Sequence, residues 1–437
     1  MGQANFHWEK LDNTAHLFPA ISTYKTTNVF RQSVILKENI EPLFLQLALE
    51  EVIKLFPAFR VRLRSGFFWY YLEQNMQRLP LIQEENEYPC TKIPQLSDNG
   101  YLFKVSFWKK RINVEIFHAL TDGTGAQNFL QELVLHYLAI AHIEIEKYKD
   151  GYLSDNTSLN REDSFFNNYR RPPLTEKQNL QEKNISEEKK AVVYHSTGEK
   201  LTYPQFSVIH GFFSLNDLKQ IAKKNNATIN EYLTALFSWC FYKEQVSNGD
   251  FSKEIAIAVP VNLRPWFKSI TTKNFFVMTF ARFLPTKPDH TFTEVLKSVQ
   301  QSLAQEITKE NFKSTLSNHV ANEKSLIKAL VPLRLKNAGI KYVYKKATKN
   351  STSTASNFGS LQIPEKYRKY ISAFHGILPN CKDQPIRVVF SSYQDIFCVT
   401  FSSVLENTYI QQKFFSFLSK EGLKITLETN GEYNGNM

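Results

Sequence analysis

The chain has 437 residues, of which 42% are hydrophobic and 14% aromatic; single cores stop growing beyond about 250–300 residues, so this length predicts two domains. The net charge of +11, with a pI near 9.2, comes from short clusters such as Lys109-Lys110-Arg111, Arg170-Arg171 and Lys345-Lys346. That balance suits a positively charged surface or attraction to an anion, whereas the absence of zinc-finger spacing, of an RNP-type aromatic motif and of a long basic run excludes a standard nucleic-acid module.

In chain order, Met1 to Asp12 is polar and charged and reads as no signal peptide. Glu38 to Phe56 predicts a helix, because Leu45, Ala48, Leu49, Val52, Ile53 and Phe56 share one face, and Pro57 ends it. Phe59-Arg60-Val61-Arg62-Leu63 alternates as a strand does. Gly66 to Glu73, Tyr101 to Lys109 and Arg111 to Phe117 are also strand-like, the last two joined as a hairpin through Lys109-Lys110. Thr124 to Ile143 predicts a helix striped by Phe129, Leu130, Leu133, Val134, Tyr137 and Leu138. Its apolar end, Leu133 to Ile143, is too short to span a bilayer and contains His136 and His142.

From Asp150 to Lys190 the periodicity fails, and Arg171-Pro172-Pro173 and Glu187-Glu188-Lys189-Lys190 mark an exposed connection between domains. The division is thus 1–150, a connection over 151–190, and 191–437. Beyond it, Ser214 to Lys224 predicts a helix with Ser214 as N-cap, and Thr228 to Tyr242 a second helix. Ile255 to Val261 reads as a buried strand and Phe275 to Leu284 as another; Phe292 to Ile307 is an amphipathic helix. Arg387 to Ser392 and Ile396 to Ser403 pair around Tyr393-Gln394-Asp395, and Asn407 to Leu418 closes the chain as a helix. Each half therefore mixes a sheet with flanking helices, an α+β layout with a cleft between the halves. Four Cys, at 90, 240, 381 and 398, show no C-x-x-C spacing, which fits a reducing, cytoplasmic setting.

The segment that carries chemistry is His118-Ala119-Leu120-Thr121-Asp122-Gly123, between an apolar strand and a helix. A neutral His at a strand end can accept a proton near pH 7, so His118 is a candidate general base; the alternative is a structural His beside a helix cap. Asp122 can orient the loop through an ion pair, and Asp122 or Thr124 can also cap the helix that follows. Gly123 allows a tight turn and a close ligand approach. No Gly-x-Ser-x-Gly elbow, motif cysteine or H-E-x-x-H spacing occurs, so neither a covalent Ser or Cys intermediate nor a metal is implied. His210-Gly211 and His375-Gly376 read as structural or turn residues.

This motif resembles the active-site signature of the chloramphenicol acetyltransferase-like superfamily, which includes alcohol acetyltransferases, wax-ester synthases, plant acyltransferases and condensation domains of peptide synthetases. Further segments resemble the family in order: Phe56-Pro57-Ala58-Phe59-Arg60, Thr228 to Ala235, Val259-Pro260-Val261-Asn262-Leu263-Arg264 and Ser356-Asn357-Phe358-Gly359. Asn274-Phe275-Phe276 falls where the family often has a Gly-Asn pair, with Lys273 in place of the Gly. The resemblance implies two lobes with the active site in a tunnel between them. It implies that His118 deprotonates an acceptor whose nucleophile attacks an acyl-CoA thioester, and that Asp122 turns away to pair with Arg264. It offers Ser356 or Asn357 as oxyanion donors and Asn274 as a substrate contact, with Gly123 and Arg264 supporting the site. Acyl-CoA is a co-substrate, and no other cofactor is implied. Phe117 replaces the first His of condensation domains and wax-ester synthases, and the plant-type Asp-Phe-Gly-Trp-Gly segment is absent. The first departure favours an alcohol acetyltransferase and the second argues against the plant branch; the expectation is a monomer acting on a small or lipid-like alcohol with at most peripheral membrane contact. The alternatives are amide formation with an amine acceptor or a carrier-protein donor, and a non-catalytic protein that binds a hydrophobic ligand or partner.

Overall fold

In the computed structural model, residues 8–93, 99–142, 163–168, 192–323, 331–381 and 383–431 are described. The expected connection over 151–190 falls largely outside them. The first half contributes strands β1 (Trp8–Lys10), β2 (Val29–Leu36), β3 (Val61–Ser65), β4 (Tyr70–Gln74), β5 (Gln83–Glu84), β6 (Phe103–Trp108) and β7 (Arg111–Phe117). Its helices are α1 (Leu17–Ile21), α2 (Pro42–Leu55) and α3 (Gly123–Ala141), followed by the short α4 (Ser164–Asn167). The second half contributes β8 (Ser207–Ser214), α5 (Leu215–Lys224), α6 (Ile229–Ser247), β9 (Ile255–Asn262), α7 (Arg264–Phe267), β10 (Phe276–Phe283), α8 (Phe292–Glu306), α9 (Lys309–Glu323) and α10 (Leu333–Thr348). It ends with β11 (Ser353–Ser360), α11 (Glu365–Arg368), β12 (Ile371–Ile377), β13 (Ile386–Tyr393), β14 (Ile396–Ser403), α12 (Tyr409–Lys420) and β15 (Thr426–Thr429).

Two large sheets organise these elements. A five-stranded sheet runs β12-β2-β7-β6-β5, and a seven-stranded sheet runs β10-β9-β11-β13-β14-β8-β15; a small sheet, β1-β4-β3, completes the first lobe. On the first sheet, Ile112, Val114 and Ile116 of β7 turn to a core shared with the apolar stripes of α2 and α3. In the second lobe, α6, α8 and α12 pack with β9, β13 and β14 around Leu233, Phe237, Val295 and Phe414. Capping follows the local sequence. Ser214 accepts from Asp217 N, and Thr228 with Glu231 forms a full capping box at α6. Pro57 does not merely stop α2 but opens a 3-10 turn over Pro57–Phe59, so the following strand starts at Val61 rather than Phe59.

The division at 191 does not separate the lobes cleanly. Strand β12, from the last quarter of the chain, pairs antiparallel with β2 and forms the edge of the first sheet. One face of the first sheet is polar yet buried, and it meets the second sheet. Arg31 pairs with Glu115 (3.1 Å) and Glu85, Ser33 donates to Asn113 (2.8 Å), and all are buried or nearly so. His375 of β12 lies with its ring centroid 4.2 Å from that of His210 of β8, whose Nδ1 meets the Thr400 hydroxyl at 2.8 Å. Burial holds both imidazoles neutral, pushing His210 down to about 3 and His375 well below its usual value. The two His-Gly pairs are therefore structural and lie within strands rather than turns. Gly211 leaves room for the Phe415 ring and Gly376 for the Phe358 ring, and a Cβ at either would sit 2.2 Å from that ring.

Candidate active site

Strand β7 ends at Phe117, and the next residue places His118 where the first lobe meets the loop that leads into β10. Three aromatic rings surround the imidazole. Phe18 of α1 stacks on it (centroids 4.3 Å, planes 13° apart), while Phe30 and Phe276 tilt against it at 4.9 and 5.5 Å. The side chain of Asn274 sets its tautomer. Asn274 Nδ2 donates to two acceptors, the Asp12 carboxylate (2.9 Å) and the His118 carbonyl (3.2 Å). The opposite amide atom is therefore the oxygen, and it must accept Nδ1–H of His118 across 3.0 Å. That leaves the lone pair on Nε2. Burial lowers the His118 pKa, against a smaller upward pull from the Asp122 carboxylate, so the ring is neutral at physiological pH.

Asp12 is the next member of this chain of contacts. Its carboxylate also accepts Ala15 N (2.7 Å) and Asn274 N (3.2 Å), so one buried side chain ties the start of α1 to the loop that holds His118. Burial pushes the Asp12 pKa up to about 7, while the N–H donors pull it back down. The residues to Asp12, read from the sequence as a polar chain end, thus finish in the site. The signal was present as an acid three residues before Ala15 in a turn leading into an apolar helix.

Asp122 points away from His118. Its Oδ1 caps α3 by accepting Thr124 N and Gly125 N, both at 3.1 Å, and Oδ2 accepts Phe275 N at 2.9 Å. Arg264 meets the same carboxylate with both terminal nitrogens, at 2.8 and 3.1 Å. The remaining guanidinium contacts go to the carbonyls of Thr271 (2.9 Å) and Lys273 (2.7 Å) and to Asn262 Oδ1 (3.2 Å). Asp122 thus makes both the ion pair and the helix cap. Together they clamp the loop 271–274 onto the N-terminus of α3, and Thr121 adds a short hydroxyl bond to the Thr272 carbonyl. Gly123 does not supply a left-handed turn: it opens α3 with ordinary backbone, and a Cβ there would meet the Phe358 ring at 3.4 Å. The sterically required glycine is Gly125, where a Cβ would lie 2.0 Å from Thr121 Oγ1 and 2.7 Å from the Thr272 carbonyl.

Strand β11 pairs with β9 only at Ser353 and Thr354; beyond these the strands part and the start of α3 abuts the gap, with Gln127 Nε2 donating to the Ser360 carbonyl at 3.0 Å. Here the structure separates the residues suggested for the oxyanion. Asn357 is exposed and its Oδ1 accepts Gly359 N (2.8 Å) at a bulge in β11, while Ser356 is buried; it is Phe358 that reaches toward the His118 surroundings, 6.2 Å from Phe30. Asn274 sits behind the imidazole, as its partner. Among the described residues no three His, Cys, Asp or Glu side chains are placed to hold a metal ion, and no helix is long and apolar enough to cross a membrane.

Comparison with solved structures decides the architecture. The first condensation domain of the CDA synthetase superimposes with a TM-score of 0.64 at 13% identity, over 96% of this chain and 97% of that one. This is the two-lobed fold of chloramphenicol acetyltransferase-like and condensation-domain proteins. A trichothecene 15-O-acetyltransferase from Fusarium sporotrichioides shares it (TM-score 0.56, 12% identity, 96% and 98% covered). So does a starter condensation domain of rhizomide synthetase solved with C8-CoA (TM-score 0.61, 12% identity, 96% and 98% covered). No family model matches the sequence. No curated protein matches it either.

Proposed function

We propose that the protein is an acyltransferase that moves an acyl group from a thioester, acyl-CoA or a carrier-bound equivalent, to a hydroxyl or amine, with His118 as general base. The observation that carries this reading is the fixed tautomer: Nδ1–H is held by Asn274 and Nε2 is left as a proton acceptor. The acceptor X–H gives its proton to Nε2 as X attacks the thioester carbonyl. Collapse of the tetrahedral intermediate breaks the C–S bond, and the leaving thiolate takes the proton back from Nε2. No covalent enzyme intermediate is required, and positioning both substrates together supplies much of the rate. The substrates reach His118 along the tunnel between the lobes that the resemblance implies. Asp122 and Arg264 act as loop anchors, and of the two candidate oxyanion donors Ser356 is buried whereas Asn357 faces solvent.

Two acceptor chemistries divide the support. Phe117 in place of a first His favours the alcohol acetyltransferase reading. The condensation domains, which share the fold with TM-scores from 0.56 to 0.64 against 0.56 for the acetyltransferase, support amide formation. Thiol release from acyl-CoAs of graded length, run in parallel with alcohol and amine acceptors, separates them. His118→Ala should lower acceptor-dependent thiol release by about 10²–10⁴-fold with an unchanged circular dichroism spectrum. Undiminished turnover would remove the base assignment, and no turnover by the wild-type protein with either acceptor class would favour the non-catalytic reading.

A further inference from the structure

The tip of the β3–β4 hairpin is Gly66-Phe67-Phe68-Trp69, and two of its aromatic side chains face solvent: Phe67 is 71% exposed and Trp69 43%. Helix α10 is bonded to this tip. Leu333 N donates to the Phe67 carbonyl (2.8 Å), Lys336 Nζ to the Phe68 carbonyl (2.9 Å) and Asn337 Nδ2 to the Tyr70 hydroxyl (2.7 Å). Those contacts use the inner face of α10. The outer face carries Leu335 (65% exposed), Tyr342 (72%) and Val343 (66%), with Leu335, Ala338, Gly339 and Tyr342 at the spacing of one helical stripe. Arg334, Lys341 and Lys345, all exposed, line one flank of that stripe, and Lys346 lies at its end. The 16-residue helix contains no Asp or Glu. Large exposed apolar side chains grouped this way mark an interaction surface rather than ordinary scatter.

We propose that the Phe67–Trp69 tip and the outer face of α10 dock the protein on an anionic lipid bilayer. The chemistry fits that occupant. Phe and Trp at a hairpin tip insert at the level of the headgroups, Leu335 and Tyr342 lie along the interface, and an acid-free basic flank meets lipid phosphates. The surface also connects to the site: α10 packs against α1, and Phe18 of α1 stacks on His118. Docking thus brings the α1 side of the site to the bilayer, where apolar acyl donors or acceptors are concentrated. The docking itself does not rest on the acyl-transfer reading.

Sedimentation of the full chain with phosphatidylcholine vesicles, with or without about a quarter phosphatidylserine, tests this. Wild-type protein should bind the phosphatidylserine vesicles about tenfold more tightly than the neutral ones, and added salt should reduce that preference. Phe67→Ser with Trp69→Ser, and separately Lys341→Glu with Lys345→Glu, should each weaken binding about tenfold without lowering Tm, because these side chains are exposed. The His118→Ala variant should bind vesicles like the wild type, so a failed docking test and a failed catalytic test remain distinct. Absence of wild-type binding, or equal binding by the surface variants, overturns the proposal. So does loss of binding to an acidic carrier protein in the surface variants when the wild type ignores vesicles.

Discussion

The behaviour of His118 is decided by a residue 156 positions away. Asn274 determines which nitrogen carries the proton, and Asp12 determines which way the Asn274 amide points. Because burial lowers the His118 pKa, the acid limb of kcat/KM should fall below the ordinary histidine value of 6.5. The Asn274 bond raises that pKa, so Asn274→Ala should lower kcat/KM about 10²-fold and also move the acid limb to still lower pH; a limb that stays in place would mark a purely structural lesion. Asp12 offers a second check with the opposite sign. Its folded pKa of about 7 lies above the ordinary aspartate value of 3.8, so the folded state holds a proton that the unfolded chain has released between those values. The stability Asp12 contributes is present below pH 4 and lost as pH rises through 7, at a slope of up to about 1.4 kcal/mol per pH unit. Compared with Asp12→Asn, wild-type Tm should therefore decline as pH is raised from 4 to 7 and run parallel above it. A parallel course throughout would show that Asp12 is ionised across the range.

At the scale of elements, the site depends on how the loop 271–274 is fastened to the start of α3. Arg264→Ala leaves a buried carboxylate that still caps the helix but has lost its cation, which should cost about 3–5 kcal/mol in denaturant unfolding and reduce activity with it. If activity alone fell, Arg264 would be a substrate contact rather than an anchor. Gly125→Ala should disrupt the same junction through its contacts with Thr121 and Thr272, whereas Gly123→Ala should be tolerated to within about 1 kcal/mol in the same assay. Much of this junction could be read in the sequence, because caps, stripes and strand ends are local signals: Asp122, Ser214 and Thr228 cap the helices they precede. Strands β2, β8 and β12 escaped because the usual alternation fails there. Arg31 and Ser33 are buried because the second face of that sheet meets the other lobe, Gln32 is buried on the opposite face where it donates to the Gly123 carbonyl (2.8 Å), and His375-Gly376 interrupts a mostly apolar strand. Asp12 escaped for a different reason: its partner is 262 positions away, and no periodicity encodes such a contact.

At the scale of the molecule, the chain crosses between lobes more than once, and this makes the halves interdependent. The first half can form β2, β7 and β6, but β2 is left with one edge unpaired until β12 returns from the second half. That edge is eight residues long and nearly all buried in the intact protein, and such an uncovered edge invites pairing with other chains. The Asp12–Asn274 and Asp122–Arg264 contacts also span the two halves, so separating them strands two buried acids. A fragment ending at residue 190 should therefore aggregate or remain partly unfolded, despite containing His118 and Asp122. Co-expression with residues 191–437 should restore solubility, because the second fragment brings β12, Asn274 and Arg264 together. The check is size-exclusion chromatography and circular dichroism on each fragment and on the pair. A soluble, cooperatively unfolding first fragment would show that its lobe is complete without β12, and that the division after residue 190 is a true folding boundary.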